Sequence, residues 1–467
     1  MHCLKRGTGR SRKFAWKICF LGVILPAVSM IGCGGKTGPG TSTAQQQSTQ
    51  TYFAPFVEGT SNGGTPVGGP QTYTISDPAG SGSAGAFKQT TYLLNANQEG
   101  AQVINAGEVT ALQRGLLSLG VTANYSFSND TGAWVTTDYS TPKTGGFAVE
   151  LAGQAGGLVQ LPGQPAAPVA ATAQCPNFAT PQTYQFVTIP NGASAGTNET
   201  AYGSVDIGTS GSTVNLTNIQ QFTLSSTGGA GAQVQPAATP VTGACGTTSY
   251  GNTISIPYPV TITNPGGGQT TPPPAVLAIG PSGLLVEDNG LGSNGLTYQT
   301  SLSGGTGAIG LPRPSQPLDT GTVVGAQYLG FIFGAPTGGN FGAPTGWSSH
   351  VASFGFTSLP SNCSSVAAQT TTLIYGGDFT NDNPSASPNG FGNCDFAIDL
   401  GPEDSTNNGF YPNATVWMGA GYAANTSNKN NSFSAVGVAG QLNGKYALFV
   451  LGANTGQQWA IYLLQSN

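Results

Sequence analysis

The chain has 467 residues, of which only 7% are charged, and its 72 Gly and 32 Pro make up roughly a fifth of it. Six of the 13 Lys and Arg precede Ile18, leaving seven against 18 Asp and Glu and a charge near −11 over the remainder. Such a balance cannot neutralise a phosphate backbone, so it argues against nucleic acid as a partner.

The N-terminus carries Lys5, Arg6, Arg10, Arg12, Lys13 and Lys17, then an apolar run from Ile18 to Ile31 broken at Pro26. Those fourteen apolar positions fall short of the roughly 20 needed to span a bilayer. A basic head, a short apolar centre and a small residue before a cleavage point make a secretory signal. Met30-Ile31-Gly32-Cys33 resembles the lipobox of bacterial lipoproteins, over residues 1–33 only. The resemblance implies lipidation of Cys33, cleavage before it, a membrane partner reached through the lipid, and a place in the cell envelope. Gly34 is not the aspartate associated with inner-membrane retention, so the outer membrane is the expected address. The rival reading is an ordinary signal peptide with an incidental cysteine. Residues 34–50 follow without apolar periodicity. A flexible tether of that length reaches roughly 20–25 Å on average.

The rest divides on composition into 51–173, 174–290 and 291–467, after a signal at 1–32 and a lipidated tether at 33–50. In the first region short β-like runs lie at Tyr52–Val57, Thr72–Ser76, Thr90–Leu94, Ala133–Asp138 and Gly146–Leu151. Ala106–Leu117 reads equally as a short helix or as a strand, because Gly107 and Gly115 weaken its helical spacing. Pro162–Ala173 marks a boundary. In the second region Tyr184–Ile189 is a strand, and Ser204–Ile207 with Thr213–Leu224 forms a hairpin. Thr253–Thr263 carries Pro257 and Pro259, which suits an edge or bent strand. Asn264–Pro274 is a linker or exposed loop, and Gly280-Pro281-Ser282-Gly283 turns between two further strands.

The third region is the most regular. Eight strands are expected at Thr322–Phe333, His350–Thr357, Thr370–Tyr375, Cys394–Leu400, Ala414–Met418, Ser432–Ala439, Lys445–Leu451 and Trp459–Leu464. Asn443-Gly444 is the strongest short hairpin signal among them. The fold class is therefore all-β: many short antiparallel strands, at most one short helix, and a C-terminal up-and-down meander closing into a barrel or sandwich. An outer-membrane barrel fits poorly, since Trp459–Leu464 is apolar on both faces. Phe333–Gly338 recurs as Phe341–Gly346, two copies that extend a loop.

Four cysteines remain beyond Cys3, Cys19 and Cys33. An even count in an oxidising compartment favours disulfides, and sequence neighbours favour Cys175–Cys245 and Cys363–Cys394. Zinc is the rival, without a CxxC spacing and with His350 the only histidine past the signal.

Catalytic chemistry finds little support. Ser349 and His350 are adjacent, so on a strand they face opposite ways. Carboxylates concentrate in Asp378–Asp404, but Asp395 and Asp399 on one strand face would stand roughly 13 Å apart, too far for a glycosidase pair. The oxygen-rich run holding Asp378, Asn381 and Asp382 is a weak calcium candidate, since the EF-hand pattern wants Gly at Asn383 and Glu at Asn389. Trp347 is the tryptophan best placed for exposure. These readings favour a membrane-anchored envelope lipoprotein that binds a glycan or protein ligand, or has a structural role, without catalysis and without a cofactor. The alternative is a carbohydrate-active enzyme using Asp378, Asp382, Glu403 or Asp404 from loops.

Overall fold

The computed structural model describes residues 49–54, 71–76, 84–95, 98–111, 116–119, 123–128, 133–138, 147–151, 156–160, 167–171, 174–190, 199–234, 241–248, 251–257, 262–263, 269–270, 274–288, 307–326, 328–333, 349–356, 373–378, 396–418, 432–454 and 457–465. The signal, the lipobox with Cys33, the tether up to Ser48, and Cys363, Asn381, Asp382 and Cys394 lie outside the described residues. So do most of the duplicated loop and Trp347.

Residues 44–467 form one compact unit of antiparallel strands. The first ten are β1 (Thr49–Ala54), β2 (Gln71–Ser76), β3 (Ala84–Asn95), β4 (Gln98–Ala111), β5 (Leu116–Leu119), β6 (Ala123–Ser128), β7 (Ala133–Asp138), β8 (Phe147–Leu151), β9 (Gly156–Gln160) and β10 (Ala167–Ala171). They pair in chain order, and β1 pairs with β10, so the sheet closes into a barrel. The part of Ala106–Leu117 that is described is strand, with Gly107 inside β4 opposite Phe87. Helical spacing loses there to a hairpin that pairs β3 over its whole length.

The middle sheet contains β11 (Gln182–Thr188), β12 (Tyr202–Ser210), β13 (Thr213–Leu224), β14 (Ala230–Gln233), β15 (Val241–Thr248) and β16 (Gly251–Ile256). Beyond the two-residue ribbon of β17 (Ile262–Thr263) and β18 (Gln269–Thr270) it takes in β19 (Ala275–Ile279), β20 (Leu285–Asp288) and β21 (Gly307–Pro312). Its order is β12-β11-β21-β20-β19-β16-β15-β13-β14, and β12 also pairs with β13. That pairing joins the first strand to the eighth, so the sheet closes on itself with β14 appended. One set of alternating residues fills the inside: Tyr184, Phe186, Val205, Ile207, Leu216, Ile254 and Leu277 among them. β16 is an interior strand, so of the edge or bent strand expected from Pro257 and Pro259 the edge is overturned. Pairing ends at Ile256, and Pro257 comes after the last ladder position, where its missing N–H costs nothing.

The last barrel begins with α1 (Thr320–Gly325) and continues through β22 (Tyr328–Phe333), β23 (Ser349–Phe356), β24 (Leu373–Asp378), β25 (Phe396–Asp399), β26 (Phe410–Met418), β27 (Ser432–Leu442), β28 (Lys445–Asn454) and β29 (Gln457–Gln465). These eight strands are a meander, and β22 pairs with β29 to close it. The one helix among the described residues replaces the first half of the strand expected at Thr322–Phe333. Asp319 caps it, its carboxylate accepting from Gly321 N and Thr322 Oγ1 at 3.1 and 2.6 Å. Val323 and Val324 then enter the barrel's apolar interior beside Tyr411, Leu448 and Leu463. Burial of those two side chains outweighs the poor helix propensity of the sequence TGTVVG. The Tyr328 hydroxyl donates to Val323 O at 2.7 Å and fastens the plug. At the β27–β28 turn Asn443 has φ of 49° and Gly444 has φ of 77°. A two-residue type I′ turn requires positive φ at both positions.

Strands β28 and β29 are buried on both faces. Trp459, Ile461 and Leu463 point inward, and Phe449, Leu451, Ala460, Tyr462 and Leu464 on the opposite face are equally inaccessible. The covering comes from β11 and β21 of the middle barrel against β27 and β28, and from β8 against β29. Tyr202 stacks on Phe222 and on Phe410 at 5.3 and 5.4 Å, joining the two barrels through aromatic rings. Among the described residues no helix is long and apolar enough to cross a membrane.

Buried tyrosines make the packing sensitive to alkali. Burial pushes Tyr202 and Tyr411 up to about 12, and pushes Tyr184, Tyr328 and Tyr462 up further. An unfolded tyrosine ionises near 10, so above that pH the unfolded chain holds fewer protons than the folded one and stability falls. Unfolding monitored by circular dichroism should therefore begin between pH 10 and 12 and coincide with tyrosinate absorbance. Tyrosinate appearing without loss of structure would contradict this packing.

Candidate functional site

The described residues form a recess of about 620 Å³ at one mouth of the middle barrel. It begins with the segment entering β11. Cys175 is bonded to Cys245 on β15, seventy residues away, with Cα atoms 5.8 Å apart. Cys245 belongs to the apolar filling of the barrel, and its N–H donates to Ser212 O at 2.7 Å. The incoming segment is thus pinned to the rim. Three residues on, Phe178 is locked to β12: its N–H donates to Thr209 Oγ1 at 2.6 Å, and Thr209 N donates to Phe178 O at 3.0 Å.

The opposite wall is the β19–β20 turn, Gly280-Pro281-Ser282-Gly283. Gly283 N donates to Gly280 O at 2.9 Å, and Gly280 N donates to Leu284 O at 2.8 Å. Gly283 has φ of 95°, and a Cβ there would come within 2.9 Å of the Pro312 ring. Only glycine serves at that position, for both reasons. The floor is Tyr184 with Ile279, and Gln182 lies beside it. The Phe178 and Tyr184 rings are 6.3 Å apart, inclined at 50°.

No lining residue carries a formal charge. Arg313, next in sequence to Pro312, does not line the recess and uses its N–H on Thr183 O. Two lining groups could titrate. Burial raises Tyr184 far above its ordinary value and keeps it a neutral phenol, and Cys175 is held in its disulfide. The recess thus presents no charged side chain and no group that titrates near neutral pH.

The carboxylates of the third region go elsewhere. Strand directions alternate, so Asp378 at the end of β24 stands at one end of the last barrel. Asp399 pairs with Leu373 at the other end, five residues along β24 from Asp378. Five strand residues span roughly 16 Å. Glu403 and Asp404 lie on that same far end, in the β25–β26 connection. Glu403 Oε1 accepts from Leu318 N at 3.2 Å and from Gly409 N, tying the helical plug to the loop. Asp404 Oδ1 accepts from Thr406 Oγ1 at 2.6 Å, Thr406 N at 2.7 Å and Asn407 N at 2.9 Å. The Thr406 hydroxyl foremost, then the backbone N–H groups, hold its carboxyl below the usual range. Asp378 therefore does not share an end with Glu403 or Asp404. His350 sits at the start of β23, opposite Ile332 in the register. Trp459 packs inside the barrel against Phe433. Among the described residues no group of three His, Cys, Asp or Glu is placed to hold a metal ion.

Sequence reasoning placed the Cys175–Cys245 bridge, the strand at Tyr184 and the Gly280–Gly283 turn, but not their convergence. The readable signal was a disulfide whose first half closely precedes a strand. No family model and no curated protein matches the chain. Among solved structures, the crystal structure of isotype 1 transferrin binding protein B from serogroup B Neisseria meningitidis is similar over 90% of this chain and 77% of that one. The two are 11% identical and the TM-score is 0.23, a likeness that carries no argument, so the architecture stands on this chain's own strand pairings.

Proposed function

We propose that the chain is a lipid-anchored envelope protein, on the outer membrane, acting as a non-catalytic binding module. One observation carries the binding part: the preformed recess at the middle barrel's mouth, walled by a disulfide-anchored segment and lined without a charged side chain. Barrel mouths are favoured ligand sites, and a wall already pinned loses little freedom on binding. The lipobox at Met30–Cys33 supports the anchor. Burial of both faces of β28 and β29 supports it too, since those strands have no wall left for lipid.

Cys33→Ser should abolish incorporation of radiolabelled palmitate and leave the signal uncleaved at this site. Equal labelling of mutant and wild type would refute the lipid anchor. For the binding role, no polysaccharide in a hydrolysis panel should be cleaved; cleavage lost on changing Asp378 or Asp382 would instead favour the carbohydrate-active enzyme.

The reading keeps a second bridge, Cys363–Cys394, because Cys175 and Cys245 are already joined. Both cysteines lie outside the described residues. Non-reducing peptide mapping should find these two cysteines linked; free thiols at both would remove the bridge from the proposal.

A further inference from the structure

We infer that the recess at the middle barrel's mouth binds an uncharged saccharide, with Phe178 against the apolar face of a sugar ring and the Tyr184 hydroxyl and polar groups at the rim taking its hydroxyls. This rests on the binding role proposed above and names the class of ligand.

Charge decides first. A carboxylate or phosphate in a partly enclosed site needs a cation or several aligned donors, and no lining residue is charged. The chain past its signal has a net charge near −11, which repels anions at long range. Cationic ligands lack a carboxylate to meet. A neutral ligand is the one that the wall can desolvate without loss.

Shape and polarity decide next. Phe178 is half-buried, so part of its ring remains presented, and its backbone bonds to Thr209 fix the ring's position. Tyr184 sits 1% exposed on the floor, its hydroxyl 3.9 Å from where a Cβ on Gly283 would stand, with no hydrogen-bond partner among the described residues. Gln182 uses Nε2 on Thr183 O at 3.1 Å, which leaves Oε1 to accept. An amide oxygen and a phenol hydroxyl beside one presented ring match a molecule with one apolar face and a girdle of hydroxyls. The volume lies within the range of small-ligand pockets.

The test is an array carrying neutral hexose and N-acetylhexosamine oligosaccharides, uronate and sialylated oligosaccharides, and proline-rich peptides, probed with the full chain in its oxidised form. Neutral oligosaccharides should bind. Tyr184→Phe should weaken that binding about three- to tenfold, the loss of one neutral hydrogen bond. Phe178→Ala should weaken it by more than about tenfold, the loss of a ring platform, while near-ultraviolet circular dichroism and the intact disulfide show the barrel folded. Salt should leave the affinity unchanged. Binding confined to acidic glycans or peptides and lost in Phe178→Ala would overturn the saccharide while the site stands. Binding to no probe, or binding that ignores both variants, would overturn the site itself.

Discussion

Replacing both Cys175 and Cys245 with serine should lower the stability of the chain by about 4 kcal/mol, the closure entropy of a loop this long. Chemical denaturation of the oxidised and doubly substituted chains measures it. The effect should be large because the bridge spans the stretch holding β11 through β14, and Cys245 contributes its sulfur to the barrel's own filling. It should also be local in one respect. Phe178 keeps two hydrogen bonds to Thr209 without the disulfide, so the rim should loosen near Gln174 and Pro176 before the barrel opens. Proteolysis near residue 174 of the reduced chain reports this. Equal denaturation midpoints with and without the bridge would mean that the segment is held by something else.

Gly330→Ala should cost about 3 kcal/mol or more, because overpacking a close backbone approach cannot be relieved by a rotamer change. Gly330 lies on β22 opposite Leu463, on the seam that closes the last barrel. A Cβ there would overlap the carbonyl of Tyr462. That carbonyl belongs to the neighbouring strand's backbone, and moving it displaces the seam. Gly246→Ala is the control, since an added Cβ there meets nothing within 4 Å. A change in so open a place should lie within about 0.5 kcal/mol of wild type. Equal midpoints for the two variants would show the seam to be looser than described.

Much of the third region was readable, because a strand announces itself locally. All eight expected strands appear, seven of them near their expected bounds, and Asn443-Gly444 makes the turn that its two residues are built for. The helix was hidden for a physical reason. TGTVVG contains no strong helix former and two β-branched valines, and it folds as α1 through the Asp319 cap and the space inside the barrel, neither visible in local periodicity. Pro257 misled in the opposite direction. A proline marks where pairing stops, and the interior or edge position of a strand depends on partners distant in sequence. The candidate site was least readable. Tyr184, Gln182 and Pro312 come from strands β11 and β21, more than a hundred residues apart, which are paired in the closed sheet. The separation of Asp378 from Glu403 also needed strand direction, which alternation of residues does not encode.

The seams bear on when this chain can fold. β1 waits for β10, β11 waits for β21, and β22 waits for β29, the last strand in chain order. Contacts so distant in sequence fold slowly, because loop-closure entropy is lost before they form. The last barrel cannot shut until β29 has emerged, and that strand is also the one that β8 leans on. Each closure therefore waits only for the last strand of its own sheet, so the first two sheets can shut while the last barrel still lacks β29.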